Sequence, residues 1–172
     1  MKLRSMLLIL SLLALAAGPA LAQKIDIEFD ESTDFARYKT FHIVEGQLNA
    51  KAAALNSDLT RRKIENEIRK RLIEKGLMEV DKQPDLNVRF TLGQARRTEV
   101  EAYPAGWRGL GTRRVRVAYT EGTLVINLRD TSRKELVWRS IAVEEKNDPM
   151  QISQHLDDMV KKSIEKYPPK KK

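Results

Sequence analysis

Residues Tyr119–Val143, YTEGTLVINLRDTSRKELVWRSIAV, decide the fold class. Leu124, Ile126 and Leu128 alternate with Val125, Asn127 and Arg129, the period of a β-strand. Asp130–Glu135 is polar and turn-like. The returning arm puts Leu136, Trp138 and Ala142 on one face, and Val137, Ile141 and Val143 on the other. Two such arms predict a β-hairpin at the middle of a sheet. Trp138, in phase with Leu136 and Leu124, belongs to the core, the usual place of a strand aromatic.

Upstream of the hairpin, Lys24–Asp30 alternates strictly, with Ile25, Ile27 and Phe29 inward and Asp26, Glu28 and Asp30 outward. That is a half-buried strand, and its outward charges discourage edge pairing. Lys39–Val44 is a second strand, and 45–57 reads as a connector. Asp58–Lys75 is a helix on the spacing of Leu59, Ile64, Ile68 and Leu72, with Ile73 flanking. Asn56, Ser57 and Asp58 are its candidate caps, and Gly76 suits the left-handed residue past its end. Glu65–Arg69 and Glu67–Arg71 are favourable i,i+4 pairs. Leu77–Val80 is a short strand. Asp85–Leu92 alternates cleanly, with Leu86, Val88, Phe90 and Leu92 inward and Asn87, Arg89 and Thr91 outward. Residues 102–114, AYPAGWRGLGTRR, are rich in glycine and predict a long loop, with strand character resuming at Val115–Tyr119.

Downstream, Asp148-Pro149 places a cap and a first-turn proline in their preferred order. Ile152, Leu156, Met159, Val160, Ile164 and Tyr167 form the stripe of a last helix. The element order predicts an α+β two-layer sandwich: an antiparallel or mixed β-sheet with two amphipathic helices packed on one face.

The first 22 residues read as a secretory signal peptide. Lys2 and Arg4 precede an apolar run from Met6 to Ala17, and Ala20-Leu21-Ala22 suits cleavage before Gln23. The run is too short to span a bilayer, for which roughly 20 residues are needed. No transmembrane segment is expected after signal removal. The expected location is the periplasm, and without a cysteine there is no lipidated N-terminus. The domain plan is thus a signal at 1–22, one α+β domain at 23–167 and a basic tail at 168–172. The mature chain would have 172 − 22 = 150 residues and a charge of 30 − 24 = +6.

Several chemistries find no support in the pattern. Zero cysteines exclude thiol nucleophiles, thiolate metal sites and disulfides. His42 and His155 have no HxH or HxxxH partner, so no metal site is assigned. Glu144-Glu145 and Asp157-Asp158 read as solvated faces, and no paired carboxylates converge. Gly106–Thr112 lacks the order and following helix of a phosphate loop. No cofactor and no catalytic residue is assigned, and an enzyme is not expected. Export disfavours nucleic acid as a partner.

The positive feature is basic. Arg96, Arg97, Arg108, Arg113, Arg114 and Arg116 flank a segment carrying Tyr103 and Trp107, against Glu99 and Glu101. Folded as a hairpin, the arms would bring guanidinium groups together, to meet anionic lipid, an anionic polymer or an acidic envelope protein. Trp107 would insert at that interface. The competing reading is a solvated strand face. A small-molecule carrier with a pocket between sheet and helices is the alternative function.

Short motifs spread over the chain carry a family resemblance. They are Phe35–Phe41 (FARYKTF), Lys75-Gly76-Leu77, Pro84-Asp85-Leu86, Gly106-Trp107, Glu121–Ile126 (EGTLVI), Leu136–Arg139 (LVWR) and Tyr167-Pro168-Pro169. In order and spacing the chain resembles the domain of unknown function 4136 family, bacterial envelope proteins often described as lipoproteins. The resemblance implies an envelope location and an α+β fold, and implies no catalytic residues. The missing lipidated cysteine departs from that pattern and points to a soluble periplasmic protein.

Overall fold

The computed structural model describes residues 23–105 and 111–170. The strands are β1 (Lys24–Phe29), β2 (Thr40–Ile43), β3 (Gln47–Asn49), β4 (Met78–Glu79), β5 (Leu86–Ala105), β6 (Gly111–Asp130) and β7 (Glu135–Lys146). The helices are α1 (Asp58–Glu74) and α2 (Pro149–Glu165). One mixed sheet runs in the order β1-β7-β6-β5-β2-β4, with β3 also paired to β5. β1, β7, β6 and β5 are antiparallel neighbours, while β2 and β3 lie parallel to β5. α2 packs on β7, β6 and β1, and α1 packs on α2 and β4. This is the expected α+β architecture, with β6 and β7 at its middle.

The returning arm differs from simple alternation. Leu128 pairs with Trp138 but Arg129 pairs with Leu136, so Val137 is an extra residue in β7. A β-bulge of this kind shifts the phase by one residue. Beyond it Trp138, Ser140 and Ala142 are buried against the helices, while Leu136 turns to the open face and is only half-buried. Leu136 and Trp138 therefore do not share a face. Glu144 continues the inward phase and is 3% exposed, which corrects its reading as a solvated charge. Its Oε1 meets His155 Nδ1 at 2.8 Å and Lys146 Nζ at 2.9 Å. Burial opposes its charge, but the hydrogen bonds from Lys146 and His155 outweigh that and hold the carboxyl below its ordinary range.

Two segments have more strand than composition suggests. β5 runs on to Ala105 and β6 begins at Gly111, so most of the expected 102–114 loop is paired backbone. The segments at 115–119 and 124–128 are one continuous strand. Continuous antiparallel pairing satisfies the backbone amides and carbonyls along both arms, which overrides the weak propensity of Gly and Pro there. The 45–57 connector likewise contains β3 and a 3₁₀ turn at Ala53–Leu55.

α1 is capped by Ser57, whose hydroxyl accepts from Thr60 N. The buried row is Thr60, Ile64, Ile68 and Leu72. Leu59 is 72% exposed and Ile73 is 52% exposed, so neither belongs to the stripe. Thr60 takes the inward place because its hydroxyl is satisfied locally by Ala54 O at 3.1 Å. Gly76 has φ +88, the left-handed cap conformation. Glu67 pairs with Arg71 as expected, whereas Arg69 turns from Glu65 to Glu79 at 2.6 Å. On α2 the whole anticipated stripe is buried, and Tyr167 meets Phe35 and Trp138 edge-on, both at 5.8 Å.

The β6–β7 turn is tied down by Asp130, 1% exposed. Its Oδ2 accepts from Arg37 Nη2 (2.8 Å), Tyr38 Oη (2.9 Å) and Arg133 Nε (3.1 Å). Its Oδ1 accepts from Ser132 and Arg133 amides. Burial works against the charge, and these donors more than offset it, holding the carboxyl well below the usual carboxylate range.

Candidate anionic-partner interface

β5 and β6 outrun the rest of the sheet. The β2–β3 side of β5 is paired only as far as Gly93, and β7 leaves β6 at Thr120. From Arg97↔Tyr119 to Ala105↔Gly111 the two strands continue alone. At about 3.4 Å per residue, this ribbon extends about 30 Å. Ribbons of two strands are marginal in water on their own, so this one depends on its anchorage in the sheet. At its base Arg97 donates twice to Glu121, both at 3.2 Å, and that bond raises the Arg97 pKa.

Register decides which arginines meet. Even-numbered residues of β5 and β6 continue the helix-covered face of the sheet, the face of Phe90, Leu92, Leu124 and Ile126. Past the helices this face is bare. It presents Arg96, Arg114 and Arg116, all exposed, with Thr98, Ala118 and Val100, the last 60% exposed. Val100 pairs with Arg116, and Ala102 with Arg114. The three guanidinium-bearing positions thus span roughly 20 Å along the ribbon. None of the three has an ion-pair partner among the described residues. No Asp or Glu occupies an even position between 96 and 118.

The remaining predicted site residues divide differently. Arg97 lies on the opposite face and is held by Glu121. Arg113, opposite Tyr103 in register, occupies an odd position, as do Glu99 and Glu101. Its side chain lies outside the described residues, and so do Trp107 and Arg108 altogether. Among the described side chains of the ribbon, the even-position face thus carries arginine charge and no carboxylate, which counting arginines along the chain does not reveal.

A second basic cluster escaped the sequence reading. Arg89 and Asn87 of β5, Arg129 and Asn127 of β6, and Arg139 of β7 border a cavity on the open face of the sheet. Each is an outward residue of its own strand. Only the register across three strands brings them together. Their outward phase on neighbouring arms was the available signal.

With this geometry in view, the likeness to known proteins can be stated. The model of the domain of unknown function DUF4136 matches residues 25–169. The chain belongs to the DUF4136 family. No curated protein matches it. Among solved structures, this DUF4136 chain is similar to a PDZ domain protein from Parabacteroides distasonis, with TM-score 0.58 and 17% identity. That match covers 87% of this chain and 37% of the other, so the chain spans little more than a third of that protein. It is similar to a PelC dodecamer from Paraburkholderia phytofirmans, with TM-score 0.51, 11% identity, and 83% and 95% of the two chains covered. It is also similar to a DUF4136 family protein from Bacteroides thetaiotaomicron, with TM-score 0.50, 13% identity, and 85% and 96% covered. At these identities the likeness concerns the fold.

Proposed function

We propose that this DUF4136 protein is a non-enzymatic periplasmic protein that holds a phosphate-bearing envelope surface through the β5–β6 ribbon. The observation that carries the reading is the exposed, acid-free face of Arg96, Arg114 and Arg116 on a ribbon standing clear of the sheet. Guanidinium forks suit phosphate oxygens in pairs, and a row of them suits repeated headgroups better than one ligand. The signal-like pattern at residues 1–22 supports export to a compartment where such surfaces are exposed. No helix among the described residues is long and apolar enough to cross a membrane.

Co-sedimentation of the mature protein with vesicles tests this. Phosphatidylglycerol vesicles at low salt should bind the protein, phosphatidylcholine vesicles should not, and about 0.5 M salt should release it, as screening demands. Surface basic residues contribute about 1 kcal/mol each near an anionic leaflet. Reversing two charges with Arg114→Glu and Arg116→Glu should therefore weaken binding at least ~10-fold. Equal binding of that variant, with its thermal melt unchanged, overturns the proposal.

A further inference from the structure

We propose that the open face of the sheet carries a separate binding site for a small phosphate- or carboxylate-bearing anion, between Arg89, Arg129 and Arg139. The site is a cavity of 310 Å³. That is the low end of the range of small-molecule sites. Val44 and Leu136 form its apolar walls, and Leu136 faces it only because the Val137 bulge turned it outward.

The lining is made of donors. Three guanidinium groups and two carboxamides border the cavity, and no carboxylate among the described residues does. Arg139 Nε donates to Asn127 Oδ1 at 2.8 Å. That bond fixes the amide and leaves the Asn127 NH₂ as a further donor. Arg129 uses Nη1 on the carbonyl of Lys134 at 2.7 Å. Arg89 has no side-chain hydrogen bond or ion pair among the described residues. Most N–H groups of the three forks therefore have no acceptor among the described residues.

The surrounding charges do not neutralise the site. Glu28 reaches Arg139 Nη1 at 3.4 Å from β1, but its side chain is 63% exposed and touches only the far arginine. Glu45, around the rim near Arg89, is engaged by Arg61 at 3.1 Å. Like charges converging on a half-enclosed space repel one another, and an acceptor-only ligand relieves that while satisfying the forks. Register explains the convergence. Arg89 pairs with Asn127, Asn127 with Arg139, and Asn87 with Arg129. The donors therefore stand in two adjacent rows across three hydrogen-bonded strands, a rigid platform. The site lies opposite the helices and in the body of the sheet, away from the ribbon's cationic face.

Titration by ¹H–¹⁵N NMR at constant ionic strength provides the test, with pyrophosphate and citrate as probes. Saturable shifts of the Asn87 and Asn127 side-chain amides are expected with at least one of them. Preference between the two distinguishes phosphate from carboxylate as the ligand chemistry. Arg89→Ala removes a solvent-facing side chain without partners among the described residues, so the fold should persist, and loss of one fork should weaken binding ~10-fold or more. The Arg114→Glu/Arg116→Glu ribbon variant should bind the probes as the unmodified protein does, whatever its behaviour on vesicles. The inference is overturned if neither probe saturates, if the shifts map to the ribbon, or if Arg89→Ala leaves affinity unchanged.

Discussion

Replacing Asp130 with asparagine should expose how strongly the β6–β7 turn depends on one buried charge. The carboxylate is 1% exposed and collects donors from Arg37, Tyr38, Ser132 and Arg133. Asparagine preserves the shape but removes the charge and converts one acceptor oxygen into a donor facing N–H groups. Removing one member of a buried pair generally costs about 3–5 kcal/mol. Here the arginine side chains are 49% and 34% exposed, so water rescues part of their charge. The low end, about 3 kcal/mol, is the expected loss. For a domain of about 150 residues that corresponds to a melting decrease of roughly 6–12 °C. Urea unfolding at pH 7 would measure it, with Tyr38→Phe as a control that removes one donor and costs about 1 kcal/mol. The pH dependence supplies a second check. The native carboxyl titrates below its unfolded value, so its contribution is complete above about pH 4. It fades as pH falls through the native value. The stability difference between wild type and Asp130→Asn should therefore shrink on acidification and stay flat from about pH 5 to 7. A loss below about 1 kcal/mol at pH 7, or a gap that widens toward acid, refutes the reasoning.

Gly46→Ala should destabilise by about 1–3 kcal/mol in chemical denaturation, because an added Cβ would collide with the ring of Phe90, which is fully buried. Gly46→Ala combined with Phe90→Leu should recover part of that loss if the clash is its cause. Ser57→Ala should cost about 1 kcal/mol by removing the α1 cap and one of the Thr60 hydroxyl's two partners, read from the same unfolding curves.

The sheet and both helices are legible in the sequence because their signals are local. Alternation at Lys24–Asp30 and Asp85–Leu92 is dictated by a half-buried strand. The stripe from Ile152 to Ile164 is dictated by one face of a helix. Local pattern fails where the phase is set by something non-local. Alternation puts Leu136 beside Trp138 because it has no means of registering the extra residue at Val137. Hydrophobicity alone draws Leu59 into the α1 stripe, while Thr60, satisfied by Ala54 O, holds the inward place. Glu144 reads as solvated because one of its hydrogen-bond partners, His155, arrives from α2 and is not visible beside it in the chain.

The two basic sites mark the same boundary. The sequence by itself determined that arginines crowd the segment from 96 to 116, that Arg89 points out of its strand, and that neither thiol chemistry nor a disulfide is available. Only the tertiary structure decided the rest. Antiparallel register between β5 and β6 put Arg96, Arg114 and Arg116 on one bare face and gave Arg97 to Glu121. Pairing of β5, β6 and β7 gathered three distant arginines around one cavity. Side-chain direction along a strand follows from a two-residue period. Which strands lie side by side, and in what register, is set by the burial of a whole face against two helices.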